Sequence, residues 1–359
     1  MTDFKDIVQE YLAMNWLRPE NAVCDTAAYR LIAPAIRQQG KSLEIGIGNG
    51  YNSFMLLGGR FTPDYDWFYN VKTDGFWDNA DIYDTCDKSL TIRSFIATPP
   101  IKMVHTAIDH KQNLLDQAKQ LDFVDNLICA DASQLHIEGH FDLIFSNILY
   151  WLPDPFAVLN EAGKHLSDQG QIVTVFPNPS FYAHCRSYVD ESPLWKRLNR
   201  GRADSMMWHL SLGEFQEKLA QRETGLKVIK AERYLAEQTL RIWDIGLRPL
   251  SPHLIKMAQA LAPETRQEIK AEWCETCLPF VLEQLTMNLS AVLRRADTTS
   301  WCSKKPHSKF KREIPCNTLL SMRRSSRNGM NGPSNQDFPA STSLITSRRS
   351  SMQPCPTPW

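Results

Sequence analysis

The stretch Ser42-Leu43-Glu44-Ile45-Gly46-Ile47-Gly48-Asn49-Gly50 constrains the fold of this chain more than any other. It reads as a short apolar strand running into a turn with three glycines. Glycine has no Cβ, so it serves where backbone turns sharply or must approach a ligand closely. In an open parallel sheet, the loop after the first strand is where a nucleotide-like ligand docks. A dinucleotide fingerprint spaces its glycines G-x-G-x-x-G. Gly46 and Gly48 fit that spacing, but its third position is Tyr51 and the extra glycine is Gly50. A glycine loop alone reads equally as a strand-to-helix turn with no ligand, so the segments that follow decide.

Three such segments come next. Met103 to His110 is apolar and β-branched and ends at Asp109, before a helix carrying Leu114, Leu115, Ala118 and Leu121. A carboxylate at a strand's C-terminal end can accept both hydroxyls of a ribose; Asp109 also reads as the N-cap of that helix. Leu127 to Ala132 is again an apolar strand ending at an acid, Asp131. Phe141 to Pro155 holds a strand (Leu143 to Phe145) that opens into a loop rich in aromatics and prolines. A helix from Phe156 to Leu166, a turn at Gly170 and a strand from Gln171 to Phe176 follow.

The pattern E-x-G-x-G-x-G from Glu44 to Gly50, with Asp109, Asp131 and Ser146–Pro155 in that order, resembles the class I S-adenosylmethionine (SAM) methyltransferases. The aromatic loop is similar to that of their ubiquinone/menaquinone-biosynthesis-like, small-molecule branch. The resemblance spans roughly residues 20 to 250. It implies an α/β fold: a Rossmann-like, doubly wound, seven-stranded and mostly parallel sheet with helices on both faces. It implies SAM as cofactor. Glu44, Gly46, Gly48 and Gly50 would surround its amino-acid end, Asp109 with His110 its ribose, and Asp131 with the amide of Ala132 its adenine. Asn147 would lie in the loop beside the transferred methyl.

The 43% hydrophobic content fits a globular chain. No apolar run reads as long enough to span a bilayer, and the N-terminus lacks a basic n-region and an apolar h-region; a cytoplasmic location is the expectation. Nine scattered cysteines make no disulfide framework. Cys274 and Cys277 form a C-x-x-C with no second pair nearby, so no metal is expected. Residues 297–359 carry 10 Lys/Arg against 3 Asp/Glu, leaving the remainder with 30 against 37. An acidic body argues against nucleic acid as a partner.

Residues 1–40 read as N-terminal helices, the first marked by Phe4, Ile7, Val8, Tyr11 and Leu12. The second is expected from Asp25 to Ile36, with Asp25 as N-cap and a bend near Pro34. They either cover the cofactor pocket or pack on the sheet edge. The resemblance implies that residues 41–250 form the SAM-binding domain. The interval between the glycine loop and Asp109 exceeds the single helix a parallel sheet needs there. Its excess, 61–100, is too aromatic for a linker and reads as a lid or wall, or as a hairpin or oligomer contact. Leu226 to Ile229 is the expected sixth strand, and Leu240 to Ile245 reads equally as the seventh or as helix. Residues 251–296 give two C-terminal helices, Pro252 to Leu261 and Pro263 to Leu285. Residues 297–359 lose all periodicity and hold twelve serines. They read as a disordered basic tail, either outside any selected domain or serving as an interaction segment.

Methyl transfer from a sulfonium is an in-line displacement whose leaving group is already activated, so alignment supplies much of the rate. A base is needed only when the nucleophile carries a proton of high pKa. His184, His209, Tyr150 and Tyr182 are the candidates, each of which also reads as a wall or surface residue. The expected partner is a small-molecule methyl acceptor, aromatic or lipid-like. The alternatives are a nucleic-acid or protein methyltransferase, an NAD-linked oxidoreductase, and a SAM-binding protein without catalysis. The first lacks the prolines of an Asn/Asp-Pro-Pro-aromatic motif at Asn147 to Tyr150, and the second is disfavoured by Tyr51.

Overall fold

A computed structural model describes residues 4–38, 40–73, 91–135, 137–199, 208–296 and 317–324. The strands are β1 (Ser42–Ile45), β2 (Arg60–Phe61), β3 (Ile96–Thr98), β4 (Val104–Asp109), β5 (Val124–Cys129), β6 (Phe141–Ser146), β7 (Leu166–Pro177), β8 (Leu226–Arg233) and β9 (Asn317–Arg324). Seven of them form one sheet in the order β5-β4-β1-β6-β7-β9-β8. All run parallel except β9, which is antiparallel to both its neighbours. The expected mostly parallel sheet of seven strands is therefore present.

The helices are α1 (Phe4–Met14), α2 (Pro19–Ile36), α3 (Tyr51–Leu56), α4 (Gln112–Gln120), α5 (Pro155–Lys164), α6 (Pro179–His184), α7 (Arg186–Val189) and α8 (Pro193–Asn199). After them come α9 (Leu212–Gln221), α10 (Glu237–Ile245), α11 (Ser251–Gln259) and α12 (Pro263–Ala296). They cover both faces of the sheet. In β6, Leu143 and Phe145 belong to the core shared with α1 and α2. Ile144, between them, belongs to the opposite core with Leu43, Ile45 and Phe156. Alternate residues of a strand point to opposite faces. A central parallel strand covered on both sides is therefore apolar throughout.

Three elements depart from the sequence expectation or settle an open one. First, Asp25 caps nothing. α2 begins six residues earlier at Pro19, because proline at the first helical position loses no hydrogen bond, and Asp25 lies inside the helix. Second, Leu240 to Ile245, which reads equally as strand or helix, is helical, within α10. Third, the seventh strand comes from the stretch read as a disordered tail. Asn317–Arg324 inserts between β7 and β8, with Leu319, Leu320 and Met322 each no more than 3% exposed. Arg324 then caps α5, donating to the carbonyls of Gly163 (2.9 and 2.7 Å) and Lys164 (2.9 Å). A cation there satisfies carbonyls that the helix leaves unpaired. The rest of 297–359 lies outside the described residues.

The described part of the 61–100 excursion docks on the helical layer. Asp66 pairs with the buried Arg266 of α12 at 2.8 Å, Lys270 donates to the carbonyls of Pro63 and Tyr65, and Trp67 donates to Met14. Residues 74–90, including Asp74, Phe76, Trp77, Asp78, Asp81, Tyr83 and Asp84, lie outside the described residues. Contrary to the expectation for any apolar run here, α12 has the length and mean hydropathy (1.2 in its most apolar window) of a membrane span. It packs along α1 and α2 through Val281 and Leu285, and its Asn288 holds the backbone at Tyr234 and Ala236.

Candidate active site

The glycine loop leaves β1 with positive φ at all three glycines: 82° at Gly46, 60° at Gly48 and 78° at Gly50. At Gly46 both the angle and the space demand glycine, since a Cβ would sit 2.2 Å from Ile148. At Gly48 a Cβ would meet nothing within 4 Å, because that residue faces open space. The loop is tied to β4: Gly46 N–H donates to the carbonyl of Ile108 at 2.8 Å, and Gly48 N–H donates to Asp109 Oδ2 at 2.8 Å. Asp109 Oδ1 accepts from the N–H of Lys111 at 3.0 Å, with His110 Nδ1 3.5 Å away. The N-cap of α4 is Lys111, so Asp109 is not that cap. It braces the loop instead.

These groups line one cavity of about 360 Å³. Glu44, Gly46, Gly48, Asp109, His110, Asp131, Ala132 and Asn147 all face it. Gly50 does not. It sits behind the loop as the N-cap position of α3, against Ala118, Leu121 and Phe123. Asp131 is exposed at the cavity edge and holds the N–H of Ser133 at 2.8 Å.

Glu44 is 6% exposed and takes a hydrogen bond from the Ser53 hydroxyl. Burial pushes its carboxyl up to about 7, against the Ser53 bond and with some help from the charge on Asp109. Its folded value lies above its unfolded one, so the associated stability is complete below about pH 4.5 and disappears as pH rises through 7. Thermal unfolding from pH 5 to 8 should show a fall in stability that Glu44→Gln removes by about 3 kcal/mol. An unchanged pH dependence in Glu44→Gln would contradict this.

A second cavity of about 240 Å³ adjoins the first, the two sharing Asn52, Asn147, Tyr150 and Trp151. Its other walls include Asp25, Phe181, Tyr188, Tyr234 and Trp243. α2 therefore contributes to this pocket as well as to sheet packing, through Cys24, Asp25, Ala28 and Ile32. None of the described residues of 61–100 lines either cavity, so the wall reading does not hold for them.

Of the base candidates whose side chains are described, only Tyr150 lies on these cavities. Burial pushes its phenol up to about 12, so it remains protonated at neutral pH. His184 lines neither cavity; it lies 3.3 Å from Glu237, and burial lowers its pKa. His209 is exposed and lines neither. The Tyr182 side chain lies outside the described residues. Sequence reasoning missed Asp25 as a pocket residue. The available signal was its place at i, i+3, i+7 with Ala28 and Ile32, an acid on an apolar helical face. Among the described residues no group of three His, Cys, Asp or Glu is placed to hold a metal.

Residues 95–174 match the family model of the methyltransferase domain. The matched segment runs from β3 into β7 and includes Asp109, Asp131 and Asn147, but it stops short of the glycine loop on its N-terminal side. No curated protein matches the chain significantly. Solved structures similar to it include a SAM-dependent methyltransferase from Thiobacillus denitrificans in complex with S-adenosyl-L-homocysteine. That protein is 14% identical with a TM-score of 0.40, over 83% of this chain and 90% of that one. Another, from Geobacter sulfurreducens and also in complex with S-adenosyl-L-homocysteine, is 14% identical with a TM-score of 0.39, over the same shares. Likenesses this distant say nothing of this chain's own reaction.

Proposed function

We propose that this protein transfers a methyl group from SAM to a small-molecule acceptor by in-line displacement. The observation that carries the reading is convergence. The ends of β1, β4, β5 and β6 bring Glu44, the glycine turn, Asp109, Asp131 and Asn147 to one cavity, and that cavity opens beside a second one walled by aromatics. The residues fit SAM chemically. Gly48 leaves room for close approach along the loop. Glu44 and the loop would receive the amino-acid end. Asp109 keeps acceptor capacity for two ribose hydroxyls, since a carboxylate offers about four lone-pair sites and two are taken by N–H groups. Asp131 and the amide of Ala132 would meet the adenine.

Bound SAM would supply a methyl on an activated leaving group. The protein's own part is then to hold and orient the acceptor and to exclude water from the junction at Asn147, Tyr150 and Trp151. A volume of about 240 Å³ suits a compact acceptor. An apolar cavity of about 150 Å³ already holds a benzene ring, whereas drug-sized ligands need about 300 Å³ or more. This supports a small aromatic acceptor over a lipid-like one. The aromatic loop Asn147–Pro155 supports placing the protein with the small-molecule branch of the class I enzymes.

Calorimetric titration with SAM, S-adenosylhomocysteine and NAD tests the cofactor. Micromolar binding of both sulfur ligands, none of NAD, and a loss of about 100-fold in Asp109→Ala are expected, because that variant removes a ribose acceptor and the brace on Gly48. Folded wild-type protein that binds neither sulfur ligand would overturn the reading.

A further inference from the structure

The second cavity has one polar feature that methyl transfer in general does not require. Asp25 lies in the middle of α2, on the same face as Ala28 and Ile32, and all three line the cavity. A carboxylate among apolar walls is costly unless it is paired. Among the described residues no ion pair satisfies it. Its one hydrogen bond there comes from Asn15, Nδ2 to Oδ2 at 3.0 Å, and Asn15 is steadied in turn by Asn21 at 3.3 Å. The nearby Arg18 is engaged with Glu20 at 3.0 Å. Tyr11 and Cys24 beside it are held protonated by burial and carry no charge to oppose or balance it.

The remaining walls complete a recognisable chemistry. Tyr150, Trp151, Phe181, Tyr188, Tyr234 and Trp243 surround the space. The faces of aromatic rings attract cations through their quadrupole, most strongly where water is excluded. A single carboxylate inside such a ring of aromatics favours a compact organic cation and repels carboxylates and phosphates. Resting on the methyl-transfer reading above, we propose that the acceptor is a small amine. Its ammonium is held by Asp25 among these aromatic walls, and Asp25 takes its proton before methylation at nitrogen.

The step balances. An N–H proton of the ammonium passes to the Asp25 carboxylate. The freed lone pair forms the nitrogen–carbon bond as the methyl carbon–sulfur bond breaks, and that electron pair stays on sulfur. The positive charge leaves sulfur and appears on nitrogen. The proton on Asp25 returns to solvent when product leaves. Burial raises Asp25 to about 7, close to the operating pH that suits a general base.

The test separates this from the cofactor assignment. Benzyltrimethylammonium, a permanent cation with no nitrogen left to methylate, and neutral benzyl alcohol are titrated calorimetrically into wild type and Asp25→Asn. Each titration is run with and without S-adenosylhomocysteine. The cation should bind wild type at least about tenfold more tightly than it binds Asp25→Asn, and more tightly than the alcohol binds wild type. S-adenosylhomocysteine should bind both proteins alike. Failure of S-adenosylhomocysteine to bind wild type sinks the cofactor reading, while the cation titrations still decide the amine. No cation binding to wild type, equal binding to Asp25→Asn, or an equal preference for the alcohol overturns the amine assignment. Should Asp25→Asn not fold, the cation–alcohol comparison on wild type decides alone.

Discussion

A chain ended after Ala296 is expected not to fold. Composition marks everything beyond that residue as dispensable, yet β9 lies there and occupies an interior position of the main sheet, bonded to β7 on one side and β8 on the other. Removing it exposes partners of Leu319, Leu320 and Met322, each worth about 1.5–3 kcal/mol when buried. It also frees a full strand edge on β7, separates β8 from the sheet and uncaps α5 at Gly163 and Lys164. Together these losses rival the 5–15 kcal/mol that typically holds a domain together. Exposed edges of buried strands also pair with other chains, so aggregation is the expected form of failure. Expression of residues 1–296 beside a control ended after Arg324, followed by circular dichroism and gel filtration, checks this. A soluble 1–296 chain with a cooperative thermal transition would refute it.

Gly46→Ala is expected to cost both stability and ligand binding. A non-glycine residue at a φ of 82° is strained by about 1–3 kcal/mol. The added Cβ also lands 2.2 Å from Ile148, a wall of the first cavity, and overpacking of that kind costs about 1–3 kcal/mol more. The midpoint of thermal unfolding should fall by about 10 °C, and S-adenosylhomocysteine affinity should fall about 100-fold as Ile148 is displaced. Gly48→Ala is the internal comparison. It carries similar backbone strain with no neighbour within 4 Å, so its stability should fall by only about 1–2 kcal/mol. Equal losses in the two variants would show that the Ile148 contact is unimportant.

How much of this was legible in sequence depends on distance along the chain. β1, β4 and β5 were readable because each is a short apolar run closed by a glycine or an acid, and β6 because its apolar run opens into an aromatic, proline-rich loop; those signals are local. Their order along the chain was enough to anticipate a parallel sheet and a shared site, since strands in such folds end on one edge. Asn317–Arg324 was not readable. Eight residues in a serine- and arginine-rich stretch have no pattern of their own; they become a strand only because β7 and β8 present unpaired edges on either side. Asp25 misled for a related reason. An aspartate near a helix start looks like a cap, and what makes it a pocket residue is α2 running six residues further back and turning that face toward Phe181 and Trp243. The local chemistry of the glycine turn and strand-end acids was thus determined by the sequence itself, through backbone sterics and hydrophobic periodicity. Which distant segment completes the sheet, and which acid faces the second cavity, were decided only by tertiary packing, because both depend on partners far away in the chain.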